Sequence, residues 1–126
     1  NAFAIAKWLQ EQPRVQYVLY PGLENHPGYV INKAQTTSFG GMISFAVDNA
    51  ETARQILEGV KLIKFAESLG GTESLITYPI RQTHTDLTAE ECAEKGITDC
   101  LLRFSTGIEA TQDLIDDLAQ AFAAIE

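Results

Sequence analysis

The sequence predicts an α+β fold, a small and mostly antiparallel sheet with helices packed on one face. Segments of alternating apolar and polar residues predict strands, most clearly at residues 42–47, 74–78 and 101–105. Amphipathic segments at residues 49–58 and 111–125 predict helices. Because the apolar stripes of both helices need a common apolar surface, we expect the three strands in one sheet and both helices on the same face of it.

Caps and chain breakers delimit the remaining elements. Pro13 ends a helical segment at residues 1–9, and Gly96 ends a short helix that begins at the capping box Thr88-Ala89-Glu90-Glu91. Further predicted elements are strands at residues 15–20 and 62–65, and a short segment at residues 29–34 after a turn or helix entry at 25–28.

The last predicted helix has a clear polar side. Its apolar stripe consists of Leu114, Leu118, Phe122 and Ile125. The polar residues between them are predicted to face water, namely Asp113, Asp116, Asp117 and Gln120.

Composition excludes several classes of function. The chain has 126 residues, enough for one domain, and a net charge of −8, which argues against a nucleic-acid or anionic-membrane surface. No stretch is long and apolar enough to span a bilayer. Cys92 and Cys100 do not form a CxxC motif, and with His26 and His84 far apart a metal site is not expected. We predict reduced thiols and a cytoplasmic protein.

Arg103 is the strongest candidate for a binding residue. It lies in the predicted strand 101–105, where it shares a face with Leu101 and Ser105 and opposes Leu102 and Phe104. A cation in an apolar strand is costly unless it meets an anion, and the guanidinium fork matches a carboxylate. Two readings follow, a grip for a small carboxylate ligand beside the glycine-rich residues 68–71, or an internal salt bridge.

Several strings resemble one known family over essentially the whole chain. They are residues 20–23, 39–45, 67–75, 96–99 and 102–109, together with Pro79 and Thr83-His84. These strings resemble the carboxy-terminal domain of the Cys/Met-metabolism enzymes that depend on pyridoxal phosphate (PLP). The family includes cystathionine γ-synthase, the cystathionine γ- and β-lyases, methionine γ-lyase and the O-acylhomoserine sulfhydrylases.

The resemblance implies a fragment of a fold-type-I enzyme. Residues 1–126 would be a single small carboxy-terminal domain, and a large domain upstream of Asn1 would bind PLP. Arg103 would bind the α-carboxylate of a small amino-acid substrate, Ser68 and Leu69 would orient the substrate and the cofactor lysine, and Thr83 would lie at the edge of the site. The full-length enzyme would be a homotetramer that makes or cleaves C–S bonds in cystathionine-type amino acids.

Residues that the family needs for catalysis are not found in this sequence. None of the five lysines lies in the Ser-x-Thr-Lys setting of the Schiff-base lysine, so we expect no catalytic residue and no bound PLP in this stretch. An acidic residue just before Ser68, here Glu67, is typical of the γ-synthase and γ-lyase branch of the family. In that branch Glu67 would bind the distal amino group of cystathionine. Alternatively, Glu67 is a solvated acid without a ligand. The branch itself is left open.

Two other functions compete with the enzyme reading. A free-standing module could use Arg103 to bind or sense an amino acid without catalysis, and a purely structural or interaction domain would not use it for a ligand. Both require a native chain that begins near Asn1, whereas the enzyme requires upstream sequence with a Schiff-base lysine.

Overall fold

A computed structural model describes residues 1–125 as alternating helices and strands. The helices are α1 (Ala2–Gln10), α2 (Tyr29–Gln35), α3 (Ala50–Gly59), α4 (Ala89–Glu94) and α5 (Thr111–Ala123), with a short 3₁₀ helix at Pro79–Arg81. The strands are β1 (Val15–Leu19), β2 (Met42–Val47), β3 (Lys64–Phe65), β4 (Leu75–Thr77) and β5 (Leu101–Ser105).

The strands form a single sheet in the order β1-β2-β5-β4-β3. All neighbouring strands are antiparallel except β3 and β4, which are parallel. The mostly antiparallel sheet is therefore confirmed, and the strands predicted at residues 42–47, 74–78 and 101–105 do share it. The strand that carries Arg103, β5, lies at the centre of the sheet.

The hydrophobic core lies between one face of the sheet and the helices. Phe45 of β2 and Phe104 of β5 are fully buried, and they belong to one cluster with Ile56 of α3 and Leu118 of α5. Burying each such side chain contributes about 1.5–3 kcal/mol. The expected placement of both long helices on one face, and with it the α+β fold class, is confirmed.

Capping residues act at the predicted positions. The side chain of Asn49 accepts a hydrogen bond from the Thr52 N–H at 2.8 Å at the start of α3. Thr88 and Glu91 form both hydrogen bonds of the capping box at the start of α4. Gly96 follows α4 with a φ of 68°, a left-handed conformation that glycine adopts without strain.

The prediction that Asp117 faces water is wrong. Its side chain is buried, with the residue 7% exposed, and its two carboxylate oxygens accept hydrogen bonds from the backbone N–H groups of Lys61, Leu62 and Ile63 at 2.8–2.9 Å. Gln120 is also half-buried and donates to the Gly59 carbonyl at 2.6 Å. The reason is tertiary: the segment after α3 crosses α5 and its free backbone donors need acceptors.

Hydrogen bonds to side chains explain why β3 and β4 are each two residues shorter than predicted, while β1 ends one residue earlier than predicted, at Leu19. Because Leu62 and Ile63 donate to Asp117, β3 begins only at Lys64, whose N–H donates to the Ser74 carbonyl. At β4, the N–H of Ser74 donates to Glu109 and that of Tyr78 to Gln82. Side chains thus occupy backbone donors that a longer ladder would need.

The cysteines and helices add three observations. Cys92 is buried, Cys100 is half-buried, and both are free thiols. In residues 1–125 no helix is long and apolar enough to cross a membrane. Across the same residues, no group of three His, Cys, Asp or Glu side chains could hold a metal ion.

Candidate functional site

Arg103 projects from the sheet face opposite the helical core. Its neighbours across the sheet are Ser44 on β2 and Thr77 on β4, which pair with it in register. Paired residues on neighbouring strands share a face, so these three side chains form a row across the middle of the sheet. The sequence correctly placed Ser105 on this face but contained no signal for Thr77, because strand register is not readable from local pattern.

One nitrogen of the Arg103 guanidinium is firmly held. Nη2 donates to the backbone carbonyl of Glu67 at 2.8 Å and to Oγ1 of Thr77 at 3.3 Å. The Thr77 hydroxyl in turn donates to the Ala66 carbonyl at 2.6 Å. Residues 66–70, which we call the arch, therefore pass next to the arginine and contact it through backbone atoms.

The rest of the guanidinium lacks partners within residues 1–125. Nε is buried without a hydrogen-bond partner, and Nη1 makes no hydrogen bond to the described residues. The ion pairs among those residues involve Arg14 and Arg54, so the internal salt bridge considered as an alternative does not form there. A buried donor left unpaired costs about 1–3 kcal/mol, and the half-buried cation is thus available to an anion from outside this set of residues.

The far end of the arch is attached to the same strand as Arg103. The Gly70 N–H donates to Oγ of Ser105 at 2.8 Å, and Gly70 has a φ of 74°, which favours glycine. Between the two attachments, the Glu67 side chain, Ser68 and Leu69 are exposed, Leu69 at 53%. Glu67 thus reaches Arg103 through its carbonyl while its carboxylate stays in solvent.

A second set of hydrogen bonds fixes the chain just beyond the arch. Glu109 accepts from the Ser74 N–H at 2.7 Å and from the Ser74 hydroxyl at 2.8 Å, and that hydroxyl oxygen accepts from the Gly107 N–H at 2.8 Å. Burial alone would raise the pKa of Glu109, but hydrogen bonds from the backbone N–H groups of Ser74 and of Glu109 itself and from the Ser74 hydroxyl together hold the pKa below its usual value. No local sequence pattern links Ser74 to Glu109, which lie 35 positions apart and are joined only by the tertiary fold.

The Thr83 hydroxyl forms its hydrogen bonds with near neighbours in the chain rather than with Arg103. Thr83 follows the 3₁₀ helix, is exposed, and its Oγ1 lies 2.7 Å from Nδ1 of His84. Of the predicted site residues, the structure places Glu67, Ser68 and Leu69 on the arch beside Arg103. It leaves the Thr83 hydroxyl without a direct hydrogen bond to any of them.

A half-buried arginine next to a glycine-containing arch, with guanidinium donors left unpaired within residues 1–125, has the charge and the donors that suit an anion. Residues 1–123 match the family described as "Cys/Met metabolism PLP-dependent enzyme". The chain belongs to this family.

Individual relatives carry different activities in their names. The chain is 47% identical over 125 residues to cystathionine gamma-lyase of Bacillus subtilis, covering 99% of this chain and 33% of that protein. It is 48% identical over 126 residues to cystathionine gamma-synthase of Haemophilus influenzae, covering 100% and 30%. The chain therefore spans about a third of the length of these relatives.

The fold also matches solved structures closely. The crystal structure of cystathionine gamma-lyase from Lactobacillus plantarum complexed with L-serine gives a TM-score of 0.90 at 39% identity. The match covers 98% of this chain and 32% of that one. The gamma-lyase and gamma-synthase named above occur at nearly equal identity, so sequence similarity does not separate lyase from synthase.

Proposed function

We propose that this chain is the carboxy-terminal domain of a PLP-dependent enzyme that makes or cleaves C–S bonds in cystathionine-type amino acids. Family membership and the coverage of a third of each relative support this assignment. The observation that carries it is Arg103, a half-buried cation on a central strand that forms no ion pair within residues 1–125.

In this proposal Arg103 binds the α-carboxylate of the substrate. Its guanidinium supplies the charge and the donors, and the fixed backbone of the arch limits how the amino acid can lie. Ser68 and Leu69 orient the substrate from the exposed part of the arch, and Thr83 lines the edge of the site. PLP, when bound, supplies the electron sink for C–S chemistry; the residues of this chain bind and orient the amino acid.

We place the PLP-binding site in a domain upstream of Asn1. All five lysines of this chain are exposed, whereas a Schiff-base lysine needs a sheltered setting that lowers its pKa. The residues beside Arg103 fit a carboxylate and offer no such lysine. The proposal further includes a homotetrameric assembly and a cytoplasmic location, which the family resemblance and the two free thiols support.

The deciding experiment uses the whole protein, purified with PLP. Cystathionine should be consumed or formed at a rate well above the rate with PLP alone, as measured by chromatography of the amino acids. A native gene that begins near Asn1, or a whole protein inactive on every C–S substrate offered, would instead favour an amino-acid-binding module without catalysis.

The isolated 126-residue chain should not retain PLP covalently and should lack lyase activity. The physical reason is that exposed lysines form only labile adducts, since no surrounding site holds the phosphate. After incubation with PLP and dialysis, the absorbance of the chain above 300 nm should equal that of an untreated sample. A stable, stoichiometric absorbance band would contradict the placement of the cofactor site.

Glu67 should affect the choice of substrate rather than the binding of every amino acid. Its carboxylate is exposed, so an ion pair with the distal amino group of cystathionine would be partly screened. We expect Glu67→Ala to lower kcat/KM for cystathionine about 5- to 30-fold. Substrates without that amino group, such as O-acylhomoserine, should change much less where the enzyme accepts them.

Glu67→Gln provides the matched control, because it keeps the size of the side chain and, like Glu67→Ala, keeps the backbone carbonyl that binds Arg103. We expect Glu67→Gln to lower kcat/KM for cystathionine by nearly as much as Glu67→Ala does. An equal loss on both classes of substrate would show that Glu67 supports the arch. No loss on either would make it a solvated acid.

A further inference from the structure

Thr77 is a buried polar residue at the point where three parts of the site meet. The residue is 1% exposed and lies directly opposite Arg103 across β4 and β5. Its Oγ1 lies 2.6 Å from the Ala66 carbonyl and 3.3 Å from Nη2 of Arg103. One hydroxyl thus connects the start of the arch to the arginine.

The two hydrogen-bond partners of the Thr77 hydroxyl determine where its proton points. A threonine hydroxyl has one proton, and the Ala66 carbonyl can only accept it. The lone pairs of Oγ1 are then left facing the guanidinium, which can only donate. Nη2 has two N–H groups, and its two acceptors are the Glu67 carbonyl and Thr77. This nitrogen is therefore saturated by the protein on both sides.

Saturation of Nη2 determines which part of Arg103 remains for a ligand. A free arginine side chain rotates about several bonds, and ordering it upon binding weakens affinity. Here the ordering is built into the free protein. The other end of the arch is attached to Ser105, whose hydroxyl oxygen accepts a hydrogen bond from the Gly70 N–H. The position of the arch therefore does not depend on its contact with Arg103 alone.

We propose that Thr77 is a positioning residue for Arg103, holding Nη2 so that Nη1 is left to donate to the carboxylate of the substrate. This inference rests on the proposed function of Arg103. Thr77 contacts no substrate in this account and acts only through the arginine and Ala66. Its effect should therefore be confined to ligands that carry a carboxylate.

The test uses the whole enzyme with PLP and two inhibitors of the same chain length. L-Norleucine carries the α-carboxylate and n-pentylamine lacks it. Thr77→Val removes the hydroxyl and preserves the shape, and we expect it to raise the inhibition constant of norleucine about 5- to 20-fold. This lies at or below the low end of the loss expected when a hydrogen bond to a charged group is removed directly, because Thr77 acts only through the arginine. The constant for pentylamine should change less than about 2-fold. Thr77→Ser should restore most of the norleucine affinity.

Thr52→Val is the matched control. Thr52 is also 1% exposed, and its hydroxyl accepts from a guanidinium, Nη1 of Arg14 at 3.4 Å, on α3 rather than on the Arg103 face. The Thr52→Val variant should leave the inhibition constants of norleucine and pentylamine unchanged. If Thr77→Val prevents folding, the comparison of Thr77→Ala with Thr77→Ser isolates the hydroxyl in the same way.

Several outcomes would overturn the inference. An equal loss for norleucine and pentylamine would mean general disruption of the site, and no loss for either would mean that Arg103 needs no positioning. If Arg103→Ala itself left norleucine binding intact, the proposed function of Arg103 would fail as well. If Arg103→Ala weakened norleucine but Thr77→Val did not, only the role of Thr77 would fail.

Discussion

Arg103→Ala should lower kcat/KM of the whole enzyme by about 30- to 1000-fold, or about 2–4 kcal/mol, while PLP stays bound. The reason is that a carboxylate in a partly dry site loses its charge-assisted partner. Most of the loss should appear in KM. Steady-state kinetics on cystathionine, recorded with the absorbance spectrum of the cofactor, give the measurement.

Two further variants separate binding from general charge effects. Arg103→Lys should recover only part of the loss, because a single ammonium cannot keep both Nη2 contacts and also present a separately placed donor to the carboxylate. Arg54→Ala removes an exposed arginine that, among residues 1–125, pairs with Glu51 and Glu58 on α3, and it should leave the kinetics unchanged. Unchanged kcat/KM in both Arg103 variants would make Arg103 a structural residue.

Asp117→Ala should lower the free energy of unfolding by about 3–5 kcal/mol, and Asp117→Asn by about 2 kcal/mol. The buried carboxylate accepts three backbone N–H groups, of Lys61, Leu62 and Ile63, and its loss leaves them unpaired. Asparagine keeps one acceptor oxygen but turns donors toward at least one of these groups. Urea denaturation followed by circular dichroism checks both values.

Asp116→Asn is the control for this effect. Asp116 is the preceding residue of α5, is exposed, and accepts a hydrogen bond from the side chain of Gln112 at 2.8 Å. The Asp116→Asn variant should change the free energy of unfolding by less than about 0.5 kcal/mol. Equal stability of the Asp116 and Asp117 variants would mean that water replaces the three hydrogen bonds without cost.

The sequence by itself determined the elements and the face on which Arg103 lies. Alternation over residues 101–105 separates Leu102 and Phe104 from Arg103 and Ser105, and this depends only on the two-residue period of a strand. The capping box at Thr88 is likewise local, because its two hydrogen bonds join residues three positions apart. Such features need no knowledge of the rest of the chain.

Only the tertiary structure decided what surrounds Arg103 and where Asp117 points. Thr77 meets Arg103 through strand register, 26 positions apart, and Glu67 contributes a carbonyl that every residue type possesses. Asp117 was predicted to face water because its type is polar, yet the chain after α3 brings it three unpaired N–H groups. Local pattern reports the polarity of a side chain, whereas burial of a polar group depends on whether distant backbone supplies its partners.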